Sequence, residues 1–143
     1  MFDITTQAVA DTTTIHVKNA NGEPLYADGE AREKPVQIVV YGPGSKAYAT
    51  VEARQTARSL KRMNDNEGKI TAPTAEEQIA EAAEDLATLT ASFNNFSYPP
   101  AGDAQGTALF EAVYRDQKLG FITRQVSKAV RDWGLFKPGS AAS

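Results

Sequence analysis

The sequence predicts an α+β protein, a small N-terminal β-hairpin or sheet followed by a mainly helical bundle. Three observations carry that expectation. Thr12 to Lys18 and Val36 to Tyr41 are rich in β-branched residues, the signature of strands. After Ser45 the apolar positions recur at three- and four-residue spacing, the period of a helix buried on one face. Gly42-Pro43-Gly44 falls between the two regimes as a break. The 143 residues suit one compact domain, organised as an arm and β region over 1–44, a helical region over 45–137 and a flexible tail over 138–143.

Residues 1–12 lack periodicity and read as a loose arm. Asn21-Gly22 gives a turn after the first strand, because both positions tolerate positive φ. Pro24-Leu25-Tyr26 reads as a short return strand, confined to an edge by its proline. Val36 to Tyr41 is nearly continuous in apolar character, which implies burial on both faces and a central place. Ser45 is the expected N-cap of a helix running to Met63, with Ala49, Ala53, Ala57 and Leu60 as its packing stripe. After a polar linker over 64–72, Thr74 and Glu77 form a capping box. Ile79, Ala83, Leu86, Leu89 and Phe93 then line one face of a second helix. Asn94 to Pro100 breaks it. A short helix is expected over Ala108 to Arg115 and a last one from Phe121 to Trp133, with Ile122, Val126, Ala129, Val130 and Trp133 as its stripe.

No stretch approaches the roughly 20 apolar residues that span a bilayer. The N-terminus has neither the basic nor the apolar region of a signal peptide. Cysteine is absent, which excludes disulfides, thiol catalysis and cysteine-based zinc sites and suits a cytoplasmic compartment. The net charge of −3 and a pI near 5.2 argue against nucleic acid as the main partner. Charge is distributed in blocks. Lys46, Arg54, Arg58, Lys61 and Arg62 precede an acidic run of Glu76, Glu77, Glu81, Glu84 and Asp85, and Arg115, Lys118, Arg124, Lys128 and Arg131 follow it. Two readings stand. The blocks are solvated helix faces, or the acidic helix packs beside one basic neighbour and leaves the other basic face for a partner.

The sites that would make an enzyme are missing from the pattern. Gly42-Pro43-Gly44-Ser45-Lys46 sits where a phosphate loop would, but lacks the required glycine spacing, and Pro43 has no N–H to offer. His16 is the only histidine and falls on the polar face of its strand with Thr14 and Lys18. No nucleophile elbow accompanies it. The carboxylates of the second helix are expected on its solvent side, without the contrast in environment that splits acid from base. Phe93, Phe96 and Tyr98, followed by Pro99-Pro100, either staple the helix end to the core or form the edge of a groove. Trp133 poses the same alternative.

Taken in order, these pieces resemble the tail assembly chaperones of long-tailed, siphophage-type bacteriophages. Leu89-Thr90-Ala91-Ser92-Phe93-Asn94-Asn95-Phe96, Leu119-Gly120-Phe121-Ile122-Thr123-Arg124-Gln125-Val126 and Asp132-Trp133-Gly134-Leu135-Phe136 carry the likeness, which spans roughly residues 36–136. The chain departs from the family in having Phe93 where a tryptophan is expected, and in its 97–106 loop.

The resemblance implies a non-enzymatic, cofactor-free helper in the host cytoplasm. Such proteins bind the long helical tape measure protein, keep it soluble and help tail tube subunits polymerise around it. Many such families also make a longer form by ribosomal frameshifting. On that basis Phe96, Tyr98, Trp133 and Phe136 are the expected anchors for an amphipathic helix. Arg124, Lys128 and Arg131 are expected to steer an acidic segment, while Leu86, Val126 and Val130 belong to the core. The tail tube protein is a second expected partner, and a homo-oligomer remains open. The alternative in the same setting is a virion structural component, such as a head–tail connector or minor tail protein.

Overall fold

The computed structural model describes residues 1–69 and 72–138. Most of the expected tail, residues 139–143, lies outside the described residues. The frame is a three-stranded antiparallel sheet of β1 (Thr12–His16), β2 (Gln37–Tyr41) and β3 (Thr90–Asn94), in the order β1-β2-β3. Around it stand the helices α1 (Lys46–Asp65), α2 (Ala75–Thr88), α3 (Thr107–Arg115) and α4 (Gly120–Ala129). The fold is α+β with its sheet founded near the N-terminus, as the pattern predicts.

β2 is central, and Ile38, Val39 and Val40 are all buried. It pairs with β1 from Thr12 opposite Tyr41 to His16 opposite Gln37. The turn between the first two strands uses Gly22 at φ +84°, with the Asn19 carboxamide oxygen accepting from the Asn21 and Glu23 amides. The return strand expected at Pro24–Tyr26 is reduced to two single bridges, Lys18 with Pro24 and Tyr26 with Pro35. His16 is half-buried: its Nε2 lies 2.7 Å from the Leu25 carbonyl oxygen and its ring stands edge-on to Tyr26.

The second helix is shorter than its apolar spacing suggests. α2 ends at Thr88, and Phe93 lies on β3, paired with Ile38 of β2. Two threonines explain the break. The hydroxyl of Thr88 donates to the Glu84 carbonyl and that of Thr90 to the Leu86 carbonyl, side-chain bonds that compete with the helical ladder. The sheet supplies the alternative, because the Tyr41 amide donates to the Leu89 carbonyl at 2.7 Å. A bulge between Val39 and Val40 absorbs the irregular register. Spacing at 86, 89 and 93 suits a helix locally, but β2 needs a second neighbour, and the tertiary partner wins.

One apolar cluster joins the two regions. Val17, Ile38 and Val40 from the sheet pack with Leu86, Val113 and Val126 from the helices, so position 44 separates two regions of one domain. α3 lies along α2, and the Tyr114 hydroxyl is paired with the Thr90 hydroxyl at 2.7 Å. Burial raises the Tyr114 pKa well above its ordinary value, which the bond to Thr90 opposes. Gln125 of α4 clasps the first hairpin from the other side. Its Oε1 accepts from the Lys18 amide and its Nε2 donates to the Lys18 carbonyl.

Candidate functional site

α1 turns the reverse of its expected face inward. Ser45 caps it as predicted, accepting from the Tyr48 amide at 3.2 Å. Ala49, Ala53, Ala57 and Leu60, however, are exposed. The side facing α2 carries Val51, Arg54, Arg58 and Arg62, again at three- and four-residue spacing. Hydrophobic periodicity alone favours the alanines. Charge matching across the pair of helices decides otherwise.

The match is residue by residue along two antiparallel helices. Arg54 reaches Asp85 at 3.1 Å and the Thr88 hydroxyl at 2.7 Å. Arg58 bridges Asp85 at 2.8 Å and Glu84 at 2.9 Å. Arg62 pairs with Glu81, and Gln55 adds a hydrogen bond to Asp85. Asp85 is only 7% exposed, so the expectation that the α2 carboxylates face solvent fails at this position. Burial disfavours the charge on Arg58, but its hydrogen bonds and attraction to Asp85 and Glu84 outweigh that and hold its pKa above the ordinary value. The alternative in which the acidic helix packs beside one basic neighbour is the arrangement found.

Long arginine side chains between α1 and α2 leave a recess at the end nearest α4. It has a volume of about 330 Å³, with Val51, Leu86, Leu89 and Val130 as an apolar floor and Glu52 and Arg131 among its polar rim. These floor residues come from α1, α2, the α2–β3 junction and the end of α4. Nothing in the linear pattern joins them, and the sequence reading places Leu86 and Val130 in the core alone. The recess becomes legible only once α1's inward face is known to be charged.

Within the second basic block Arg115 pairs with Glu111 at 3.3 Å, and the C-terminal part stays uncommitted. Arg124, Lys128 and Arg131 lie together on the exposed side of α4 and the turn after it, and their side chains make no ion pair with any described residue. Ile122, Val126, Ala129 and Val130 of the same segment are buried as expected. α4 ends at Ala129, short of the expected Trp133. Asp132 instead caps a separate 3-10 turn, accepting from the Gly134 amide, and this turn leaves Trp133 58% exposed. The Trp133 ring lies beside Gly44, at the entrance to α1.

Three of the expected anchors belong to the fold. Phe136 is fully buried. It covers Gly42, where an added Cβ would lie 2.5 Å from the ring, and its carbonyl accepts from the Ala10 amide. The bare glycine makes room for an aromatic ring that the sequence presents as an exposed end. Phe96 is half-buried against Phe93 at 4.5 Å between centroids, and Phe93 meets Phe110 at the same distance. The Tyr98 hydroxyl donates to Asp116 at 2.8 Å, and that bond raises the Tyr98 pKa. The aromatic turn therefore acts as a staple onto α3. Of the seven expected contact residues, Arg124, Lys128, Arg131 and Trp133 are exposed and Arg131 lines the recess, whereas Phe96, Tyr98 and Phe136 are taken up by the fold.

No helix among the described residues is long and apolar enough to cross a membrane. No group of three or more acidic or histidine side chains comes together among them as a metal site would require. Comparison with models of known protein families, with curated proteins and with solved structures finds no match to the chain.

Proposed function

We propose that this protein is a non-catalytic phage tail assembly chaperone, which works in the host cytoplasm by holding helical segments of a tape measure protein. The observation that supports this reading best is the pairing of an apolar recess with an uncommitted cationic surface. Val51, Leu86, Leu89 and Val130 form the apolar base of the recess beneath a polar rim that includes Glu52, Gln55 and Arg131. Arg131 borders it, and Arg124 and Lys128 are exposed on the preceding helix, with no ion pair to any of the three among the described residues, a charge suited to steering the acidic face of an amphipathic helix. Trp133 adds an exposed aromatic of the kind that anchors interfaces. The tail tube protein is a second partner on this reading.

Co-expression with the tape measure protein, followed by affinity capture and a solubility assay, tests the proposal. The wild-type chain should capture the client and keep it in the soluble fraction. The triple change Arg124→Ala, Lys128→Ala, Arg131→Ala should slow association and steepen its loss, while leaving the fold intact. A wild-type protein that neither captures nor solubilises the client sinks the reading. Recovery of the chain in purified particles would favour a structural component of the virion instead.

A further inference from the structure

We infer that Asn21 is a site of spontaneous modification, deamidation through a cyclic imide, and that the turn built around Asn19 gates it; this lies outside the client-binding reading and does not depend on it. Two residues able to form such an imide precede a glycine in the chain, Asn21 before Gly22 and Asp28 before Gly29. The glycine nitrogen, once its proton is lost to water, bonds to the side-chain carbonyl carbon of the residue before it. At Asn21 the bond from that carbon to the carboxamide nitrogen breaks, and ammonia leaves. Water then adds to either carbonyl of the ring and opens it to aspartate or isoaspartate. One water is consumed and one ammonia released, with no change of oxidation state.

Both dipeptides lie in the excursion between β1 and β2, and the fold treats them differently. The Asp28 carboxylate accepts from the Glu33 amide at 3.0 Å and from the Lys34 amide at 3.1 Å, one on each oxygen. Desolvation opposes its charge, but those two amides, its own amide and the Lys34 charge outweigh that and hold the carboxyl below its ordinary value. An ionised carboxylate is a poor target for a nucleophile, and this one is also pinned. Asn21 has neither protection. It is exposed, and its carboxamide has no hydrogen-bond partner among the described residues. Nothing lies within 4 Å of where a Gly22 side chain would stand. What restrains Asn21 is the backbone around it. The Gly22 amide donates to the Asn19 carbonyl at 3.0 Å, and the Asn19 amide donates to the Glu23 carbonyl at 2.8 Å. The Asn19 carboxamide oxygen accepts from the Asn21 and Glu23 amides at 2.9 and 3.0 Å. The attacking nitrogen is therefore engaged until the turn opens, and reaction draws on the open fraction. Isoaspartate lengthens the main chain at the tip and adds a negative charge, so the modified turn no longer matches the spacing of the Asn19–Glu23 bonds.

Trypsin cuts after Lys18 and Arg32, so the single peptide 19–32 carries both sites. The full chain is held at neutral pH, sampled over time, digested, and read by mass spectrometry with the aspartate and isoaspartate forms separated. Asn21 should convert ahead of every other asparagine, with Asp28 unchanged in the same peptide. The free peptide 19–32, which lacks the fold, should lose Asn21 faster than the protein does and should isomerise Asp28 as well. Asn19→Ala removes the side-chain bonds that close the turn. It should speed the loss of Asn21 in the folded protein by about fivefold or more, the factor that losing one net hydrogen bond gives in an opening equilibrium. An Asn21 still intact when the free peptide has fully converted, earlier conversion of another asparagine, or isomerisation of Asp28 in step with Asn21 overturns the assignment of the site. Loss of Asn21 as fast in the protein as in the peptide, or at a rate unchanged by Asn19→Ala, overturns the gate.

Discussion

Gly42→Ala isolates a single packing event. The glycine is buried at the end of β2, and a Cβ placed on it lies 2.5, 2.5 and 2.6 Å from three ring carbons of Phe136. Gly42 is not among the positive-φ glycines, so alanine meets no backbone penalty there and the whole effect is steric. Phe136 has no exposed surface to retreat into. If the ring shifts within its site, overpacking costs about 1–3 kcal/mol. If it is expelled, the loss approaches that of Phe136→Ala, about 3–5 kcal/mol. For a chain of this size each kcal/mol lowers the melting temperature by about 2–4 °C. Urea denaturation followed by far-ultraviolet circular dichroism and by tryptophan fluorescence measures the effect. Gly120→Ala is the control, since nothing lies within 4 Å of its Cβ direction and its φ is helical. The double variant Gly42→Ala, Phe136→Leu should recover part of the stability that Gly42→Ala loses. A Gly42→Ala protein within about 0.5 kcal/mol of the wild type would refute the packing of the C-terminal segment described above.

Asp85→Asn should lower stability by about 1.5–3 kcal/mol, because Arg54 and Arg58 each lose a charged partner; equal urea midpoints for the two proteins would contradict the ion pairing of α1 with α2. Trp133→Ala should change stability by less than about 0.5 kcal/mol while weakening client capture, and Trp133 emission in the wild type should be open to iodide quenching. The carboxylate of Glu77 is held below its ordinary pKa of 4.5, first by the Thr74 amide and then by the Thr74 hydroxyl. A depressed acid pKa contributes stability above its unfolded value that is lost as pH falls through the lower native one. Glu77→Gln should therefore flatten the stability profile below about pH 4.5, as read by thermal melts across that range.

The sequence is most legible where the determinants are local. Ser45 and the Thr74–Glu77 box cap their helices because each needs only its own turn. β2 is recognised as central from its apolar run alone. Legibility fails where a residue's environment is supplied by a distant one. Phe93 reads as helical until β2 offers it a place in the sheet. Ala49, Ala53 and Ala57 outrank three arginines by hydrophobicity, yet the carboxylates of α2 reverse the order. Phe136 looks free because the space that receives it is an absence, the missing side chain of Gly42. Arg124, Lys128 and Arg131 are exposed as polarity and position in the helical period suggest, whereas Trp133, which that period places in the apolar stripe, is exposed because α4 ends at Ala129.

The clasp between Gln125 and Lys18 bears on how the chain reaches this state. The two residues stand 107 positions apart, and closing a loop of that length costs about 4 kcal/mol of chain entropy beyond a constant term. Contacts of such separation slow folding, whereas pairs close in sequence form early. α2, β3 and α3 are near neighbours along the chain and are expected to assemble first as a local nucleus. The hairpin precedes α4 along the chain, so during translation Lys18 lacks its Gln125 partner until α4 has emerged.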